Sequence, residues 1–510
     1  MGSRLIQFVY FNSRAWYGVR LAEKILKANN GGYDVVSVTP AQAVPATGQD
    51  VVLMSFLASR EYPNIFKAFD SLHIPYKSAD RTDAHPLIVV GGAAMFNPEP
   101  IADFVDVVFI GDGEEPLQWL LPTIAKHATR ETRLQAIAEL PGSYVPSRRK
   151  MVYESDGFLV KDMAGDTSTI IPHVTGQWMD APAFKEQADE IELARGCNKS
   201  CFFCSITWRN PFRVRPEAEA LAVLSENKNM AFFAPNTGGV PYYSKVHDFR
   251  NKSSKGDVTV DDFMRLPPPA PGELTGHTFT FGIEGISPRL RQLVGKPITW
   301  AKIDDLQARL IAGGAHRQQL YFIRSIPGET VDDWNDVRAF IERWHPHWKE
   351  HAVSTELQFT PLQKQPHTPL QWFEHRYNDE SEKIVMQLLE EGRSEEGGKV
   401  WVTPSRRAAS WLIDTVVECG GRQAGTFLWS VHKGLLRELK QDSFVGRGYE
   451  RVRGVALKCG IDVSAVLAER PLDAHFPWSH ISPMGDAGRI KREKAAMAIQ
   501  RMLSARSVSV

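Results

Sequence analysis

Residues 192–204 read Glu192-Leu-Ala-Arg-Gly-Cys197-Asn-Lys-Ser-Cys201-Phe-Phe203-Cys204, and a strand–helix alternation that begins at Ile191 carries them. Three of the chain's five cysteines fall in this loop. Thiolates at C-x-x-x-C-x-x-C spacing suit a cubane iron–sulfur cluster, one per iron, with the fourth iron left without a protein ligand. A structural zinc ion wants four protein ligands, usually in two separated pairs. No second Cys-x-x-Cys or Cys-x-x-His pair follows within finger distance. The two remaining cysteines, Cys419 and Cys459, lie far along the chain, so a fourth ferredoxin-type ligand is not at hand. A secreted disulfide framework would spread its cysteines instead of clustering them.

Working outward, the loop sits inside the second of two strand–helix alternations. The first fills residues 1–150. Leu5–Phe11, Val35–Val38, Val51–Phe56, Leu87–Val90 and Val105–Ile110 read as apolar, mostly β-branched strands, and Val19, Ala22, Ile25 and Leu26 share one helical face. Continuous apolar strands alternating with helices imply a parallel, doubly wound sheet covered on both faces. The turns Gly91-Gly92-Ala93 and Gly111-Asp112-Gly113-Glu114 follow its last two strands. Ligands of such sheets bind beyond the strand carboxyl ends, where these turns fall.

Residues 151–185 read as a polar connector. The second alternation occupies 186–375, with a helix at Glu217–Leu224 and strands at Ala231–Ala234, Thr278–Ile283, Gln319–Ile326 and Val353–Phe359. Thr330 and Asp333 have the spacing of a capping box ahead of a helix through Val337, Phe340 and Ile341. About six such units predict a partial (β/α)6 barrel, reactive at its carboxyl face. Residues 376–510 read as mainly helical, with a basic end at Arg489–Arg506. The fold class is therefore α/β throughout the first two regions.

Composition narrows the setting. The 510 residues exceed one ordinary core. Lys+Arg and Asp+Glu both number 60, which gives no overall pull toward nucleic acid or anionic lipid. No apolar run approaches the roughly 20 residues that span a bilayer, and the opening MGSRLIQFVYF lacks a signal peptide's length and cleavage site. A cytoplasmic enzyme without membrane contact is the expectation.

Motifs beyond the cysteines carry a resemblance. Trp208–Arg215 (WRNPFRVR), Phe281–Leu290 (FGIEGISPRL), Tyr321–Thr330 (YFIRSIPGET), Phe359–Trp372 (FTPLQKQPHTPLQW), Gly91–Glu115 and Phe476–Ile481 (FPWSHI) resemble segments of the radical S-adenosylmethionine (SAM) superfamily, in its subgroup with an amino-terminal cobalamin-binding domain. The similarity runs from about residue 80 to 480. It implies a [4Fe–4S] cluster on Cys197, Cys201 and Cys204 that binds SAM and splits it to a 5′-deoxyadenosyl radical. It also implies an external flavodoxin- or ferredoxin-like electron donor. By position it assigns Phe203 to the adenine and Gly238 and Gly239 to the SAM amino group. This turn lacks the acidic residue of the common GGE form, which leaves a backbone carbonyl for that contact. Glu284 is assigned to the ribose hydroxyls, with a surface charge at a strand end as the alternative. Arg324 and Ser325 stand where the family usually has apolar residues or glycine; they contact SAM or substrate, or form a barrel ion pair. Gly91, Gly92, Gly111 and Gly113 are expected at a bound cobalamin. Asp83-Ala84-His85-Pro86 only partly resembles the D-x-H-x-x-G ligand loop and precedes the wrong strand, so His85 reads as a surface residue.

The resemblance implies methylation or rearrangement of an unactivated carbon, with cobalamin. One alternative is a cobalamin-independent isomerase or nucleobase-modifying enzyme, with Arg209, Arg213 and Arg215 holding phosphate and the first domain a mere scaffold. Another is a non-catalytic iron–sulfur scaffold or sensor. The substrate is a small molecule or a nucleic acid. Cys419 and Cys459 read as radical quenchers, methyl carriers or buried thiols. His367 and Gln371 either touch substrate or stabilise a turn, and the basic end either meets nucleic acid or is a solvated helix face.

Overall fold

The computed structural model describes residues 4–11, 17–182, 189–227, 230–247, 249, 255–256, 258–394, 400–404, 407–435 and 445–507. Six strands form the first sheet: β1 (Arg4–Tyr10), β2 (Tyr33–Val38), β3 (Val51–Ser55), β4 (Leu87–Gly91), β5 (Val107–Phe109) and β6 (Ser143–Tyr144). Their order is β2-β1-β3-β4-β5-β6. The pairs from β2 to β5 are parallel, and only the edge strand β6 runs antiparallel to β5. Chain order reverses between β1 and β3, which makes the crevice above them the place for a ligand.

Helices α1 (Tyr17–Ala28) and α3 (Glu114–Ala125) cover one face, and α2 (Ile65–Leu72) the other. The α1 face buries Leu21, Ile25 and Leu26, and α3 buries Leu120, Leu121 and Ile124. Each such side chain stabilises by roughly 1.5–3 kcal/mol when fully buried. Helix α3 opens with Glu114 and Glu115, whose charges suit the positive end of its dipole.

The stretch expected to be an unpatterned connector is partly a hairpin. Strand β7 (Arg149–Tyr153) pairs antiparallel with β8 (Val160–Gly165). Beyond it the chain is stitched down by isolated bridges of Ile170 to Ile481, His173 to Gly111 and Ala181 to Glu190. Polar composition hid these pairings because their partners lie in other parts of the sequence.

The second alternation forms two parallel sheets. One has the order β13-β12-β9, from β9 (Glu190–Glu192), β12 (Ala231–Ala234) and β13 (Lys255–Gly256). Between β9 and β12, the short β10 (Ala194–Arg195) pairs antiparallel with β11 (Arg213–Val214) and frames the cysteine loop. The other sheet runs β14 (Thr278–Gly285), β15 (Arg317–Arg324), β16 (Ser354–Pro361), β17 (Val400–Pro404). Strand β17 comes from the region expected to be mainly helical and pairs parallel with β16. Phe281, Ile283, Leu320, Phe322, Leu357 and Phe359 are buried in one core with Leu306, Val337 and Phe340 of the covering helices. The opposite, half-buried face carries Thr280, Gln319, Tyr321, Glu356 and Gln358.

The expected capping box forms only in part. Thr330 donates its backbone N–H to Asp333 Oδ2 at 2.9 Å, while the helix Asp333–Glu350 has no side-chain cap bond at Asp332. The basic end is a helix, Gly485–Ser507, that buries Arg492, Ala496 and Ile499. Lys491 lies over the Trp208 ring at 5.2 Å, so this helix packs beside the cysteine loop. Among the described residues no helix is long and apolar enough to cross a membrane.

Candidate functional site

The cysteine loop is held from three sides. The Phe202 N–H donates to Val294 O at 2.8 Å and the Trp208 indole N–H to Cys201 O at 2.9 Å. Gly295, at φ 73°, fits against the loop so closely that a Cβ there would lie 2.7 Å from Ser200 O. All three loop cysteines are unpaired and half-buried. The Lys199 N–H points at Cys197 Sγ at 3.4 Å. Burial pushes the Cys201 thiol up to about 12, with the Lys296 ammonium opposing the shift. Burial also raises Cys204, against N–H groups of Ile206 and Thr207. These donors and the nearby cation are what metal-bound thiolate sulfurs need, so the residues fit a cluster. Among the described residues no three His, Cys, Asp or Glu side chains converge on a single ion. A cubane asks for a different arrangement, one thiolate at each of three irons. Phe203, within this loop, packs half-buried against the main core.

Glu284 ends β14 in an unusual backbone state. Its φ is 72°, left-handed for a non-glycine residue, at a register shift between Gly282 and Glu284. Its carboxylate accepts from Lys296 Nζ at 2.9 Å. Burial works against the Lys296 ammonium, but Glu284 and the cysteines hold it above its ordinary value. The room at Gly282 belongs to this pair, since a Cβ there would lie 2.1 Å from Glu284 Oε1 and 2.9 Å from Lys296 Nζ. Gly285 makes room for the helix backbone at Leu290 and Arg291.

After β12, Gly238 and Gly239 form a single tight turn with Thr237. A Cβ on Gly239 would crowd Asn198 and Asn236, and one on Gly238 would crowd Asp262. Asn236 donates to Asn198 Oδ1 at 3.0 Å and to Asp262 Oδ2 at 2.9 Å, and Lys199 pairs with Asp262 at 3.0 Å. The turn is therefore tied directly to the cysteine loop. Its acidic group arrives from Asp262, on the later helix Val260–Arg265.

Other expectations resolve differently. Arg324 is fully buried, paired with Glu382 and donating to Tyr377 Oη at 3.0 Å, which is the ion pair among its alternatives. Ser325 Oγ accepts from the Asn378 N–H at 3.2 Å. Arg209, Arg213 and Arg215 are not poised for phosphate. Arg209 pairs with Glu418 at 3.2 Å, Arg213 with Asp112 at 2.7 Å, and Arg215 with Asp180 at 2.5 Å. Arg195 grips Asp112, Glu114 and Glu192 together. Arg195 and Arg213 bind the cysteine loop and its flanking strands to the Asp112–Glu114 turn after β5. His367 Nε2–H donates to Phe96 O, 2.9 Å away, and the His367 backbone N–H donates to Gln371 Oε1 at 2.9 Å, so both residues stabilise a turn. Cys419 is buried with its thiol 3.4 Å from Lys364 O, and Cys459 ends a helix. The His85 ring meets the Thr82 N–H ahead of β4, at the sheet's amino end.

A cavity of about 640 Å³ opens over the carboxyl ends of β1, β3, β4 and β5, lined there by Tyr10, Phe56, Gly91 and Gly111. Its other wall is Gly196, Ser205 and Ile206, flanking the first and last loop cysteines. Gly91 has open space where a Cβ would sit, with nothing nearer than Phe109 O at 3.9 Å. Gly92 and Gly111 also answer a backbone constraint. Both have φ above 100°, and their Cβ positions fall 2.3 Å from Phe56 O and 2.2 Å from His173 O. Burial raises the Glu192 carboxyl on the cavity wall to about 7, against Arg195. Sequence reasoning missed Lys296, Asp262 and Arg195; the signals were a lysine just past the Glu284 segment and an arginine inside the cysteine loop.

Residues 19–146 match the family model described as radical SAM proteins, N-terminal. An uncharacterized protein of Methanocaldococcus jannaschii is 24% identical over 368 residues, covering 69% of this chain and 74% of that protein. Two solved structures of the cobalamin-dependent SAM radical enzyme OxsB, one with aqua-cobalamin and one with aqua-cobalamin and SAM, align over 99% of this chain and 80% of theirs. They show 11% and 12% identity and TM-scores of 0.46 and 0.45.

Proposed function

We infer that this chain, whose residues 19–146 match the radical SAM N-terminal family, cleaves SAM at a [4Fe–4S] cluster and uses the radical to methylate or rearrange an unactivated carbon with cobalamin held by its first domain. The observation that carries the reading is the shared cavity. One wall is the glycine turns of the first domain, and the other flanks Cys197 and Cys204.

When bound, the cluster supplies the electron that splits the SAM sulfonium, and cobalamin supplies a transferable methyl group or a second redox centre. The protein's part is positioning and exclusion of water. Cys197, Cys201 and Cys204 would hold three irons. The Glu284–Lys296 pair sets a carboxylate beside that loop, ready to accept hydrogen bonds from ribose hydroxyls. The Gly238–Gly239 turn, tied to Asn198, shapes the methionyl end. In the first domain Gly91 and Ala93 would leave room for a flat corrin over the backbone, and the stacked rings of Phe11 and Phe56, centroids 4.3 Å apart, would give it an apolar floor. A flavodoxin- or ferredoxin-like protein would deliver the electron.

The test is anaerobic reconstitution of the full chain. About four irons and four sulfides per chain are expected, with 5′-deoxyadenosine released from SAM under reduction. Cys201→Ala should abolish that release. Undiminished release from a variant lacking all three loop cysteines would overturn the reading.

A further inference from the structure

The cavity has an electrostatic character that bears on what enters it. Five carboxylates line it, from Glu61, Asp112, Glu114, Glu192 and Glu418, against two guanidiniums, from Arg195 and Arg209. Neither guanidinium is free. Arg195 is shared among Asp112, Glu114 and Glu192, Asp112 is also held by Arg213 from behind the lining, and Arg209 is held by Glu418, which also accepts from Ser59. No lysine or histidine is among the described residues lining the cavity. Its remaining polar wall is neutral, with Ser55, Ser205, Asn210 and Gln365.

A similar polar pattern stands on β14, β15 and β16, none of whose residues is among those lining the cavity. Across the half-buried face of β14, β15 and β16, Thr280 donates to Gln319 at 3.2 Å and Gln319 to Glu356 at 2.7 Å. Tyr321 and Gln358 stand in register one layer further on. The cation near this face, Lys296, is committed to Glu284.

Phosphate recognition needs Arg, Lys or a pre-formed nest of N–H donors, and a nucleic acid brings a charge at every residue. Buried and half-buried carboxylates outnumber the guanidiniums that hold them, and the excess disfavours both. The same groups are acceptors that reward hydroxyl and amine donors.

Resting on the radical reading above, we propose that the molecule attacked in this cavity is a phosphate-free small molecule, neutral or cationic, presenting hydroxyl or amine donors. The attack takes a hydrogen atom from a substrate carbon: that C–H bond breaks homolytically, and a new C–H bond forms in 5′-deoxyadenosine. Label in the substrate therefore ends in 5′-deoxyadenosine.

The experiment uses the reconstituted full chain with unlabelled SAM and a small-molecule extract from the native host grown in heavy water. Anion exchange splits the extract into an unretained fraction and a retained, phosphate-bearing fraction, and total RNA forms a third. Expected is a one-mass-unit gain in 5′-deoxyadenosine from the unretained fraction alone. Label arising from the retained fraction or from RNA overturns the proposal. Label from none of the three, with 5′-deoxyadenosine still formed, overturns it too, since a small substrate belongs in the extract. If no 5′-deoxyadenosine forms at all, it is the radical reading that fails. In a second arm, a fluorescent single-stranded RNA should not bind the protein at low salt. Saturable binding that Ile206→Trp removes by filling the cavity mouth would count against the proposal.

Discussion

Replacing Lys296 by Met tests the geometry around Glu284 without touching a thiolate. The pair is 2.9 Å apart, with side chains only 13% and 14% exposed. At an effective dielectric near 20, two unit charges at that distance attract by about 6 kcal/mol before desolvation is subtracted. Removing one partner of a buried pair costs about 3–5 kcal/mol, because the other charge is stranded. The slight exposure here lowers the figure to about 3 kcal/mol for Lys296→Met. Glu284→Gln should cost about 2 kcal/mol, since an amide still accepts from the ammonium. The double variant strands neither charge and should cost about 2 kcal/mol less than the sum of the singles. A chain of this size can unfold in stages. The measurement is therefore native-state hydrogen exchange of the β14 amides, Thr278–Gly285, in the cluster-free protein. SAM affinity of the cluster-loaded Glu284→Ala protein gives a second readout. Losing hydrogen bonds to a charged acceptor, at roughly 1.5–3 kcal/mol, should weaken it by one to two orders of magnitude. Single variants that add without coupling would refute the pairing, and unchanged SAM affinity would refute the ribose contact.

Ala93→Trp, at an exposed cavity position, should weaken hydroxocobalamin binding by visible spectroscopy and leave iron content unchanged. Gly92→Ala, by contrast, should destabilise the first domain by roughly 1–3 kcal/mol through its left-handed backbone and its clash with Phe56 O, as read by thermal melting. Burial holds His375 and His480 down at about 3, below an unfolded value near 6.5. Their contribution is complete above pH 6.5 and fades as the unfolded chain gains protons the native one refuses. By pH 5 each should have lost about 2 kcal/mol, and His375→Asn should flatten the acid limb of a stability–pH curve. Burial lowers Lys364 to about 8. The unfolded lysine holds its proton to about 10.4, so stability should rise with pH between those values, by up to about 3 kcal/mol, and Lys364→Met should remove that slope.

Much of this was legible because the signals were local. The apolar runs at Val51, Leu87 and Leu320 announce strands through composition alone, and the cysteine spacing announces its chemistry without any fold. What escaped depends on pairs distant in sequence. Arg213 reads as a phosphate ligand until Asp112, about a hundred residues earlier, is found against it. Arg324 is likewise explained only by Glu382. Strand β17 is masked by helical surroundings, and the hairpin β7–β8 by polar side chains facing water. Gly92 and Gly111 line the cavity, and their missing side chains also admit neighbouring backbone, a contact no local signal announces.

The strap from residue 166 to 182 bears on how this protein can be cut. His173 O takes the Asp112 N–H at 2.9 Å, and the His173 N–H meets Ile110 O at 2.9 Å, closing the sheet edge over Gly111. Farther along, Tyr17 and Lys24 of α1 are bonded to Met179 and Asp180. A fragment ending after β6 would expose that edge and shed the tether on α1, and open edges recruit other chains. Expressed alone, it should aggregate. A boundary drawn past Ala181, keeping the strap, is the one to choose for crystallising or swapping the first domain.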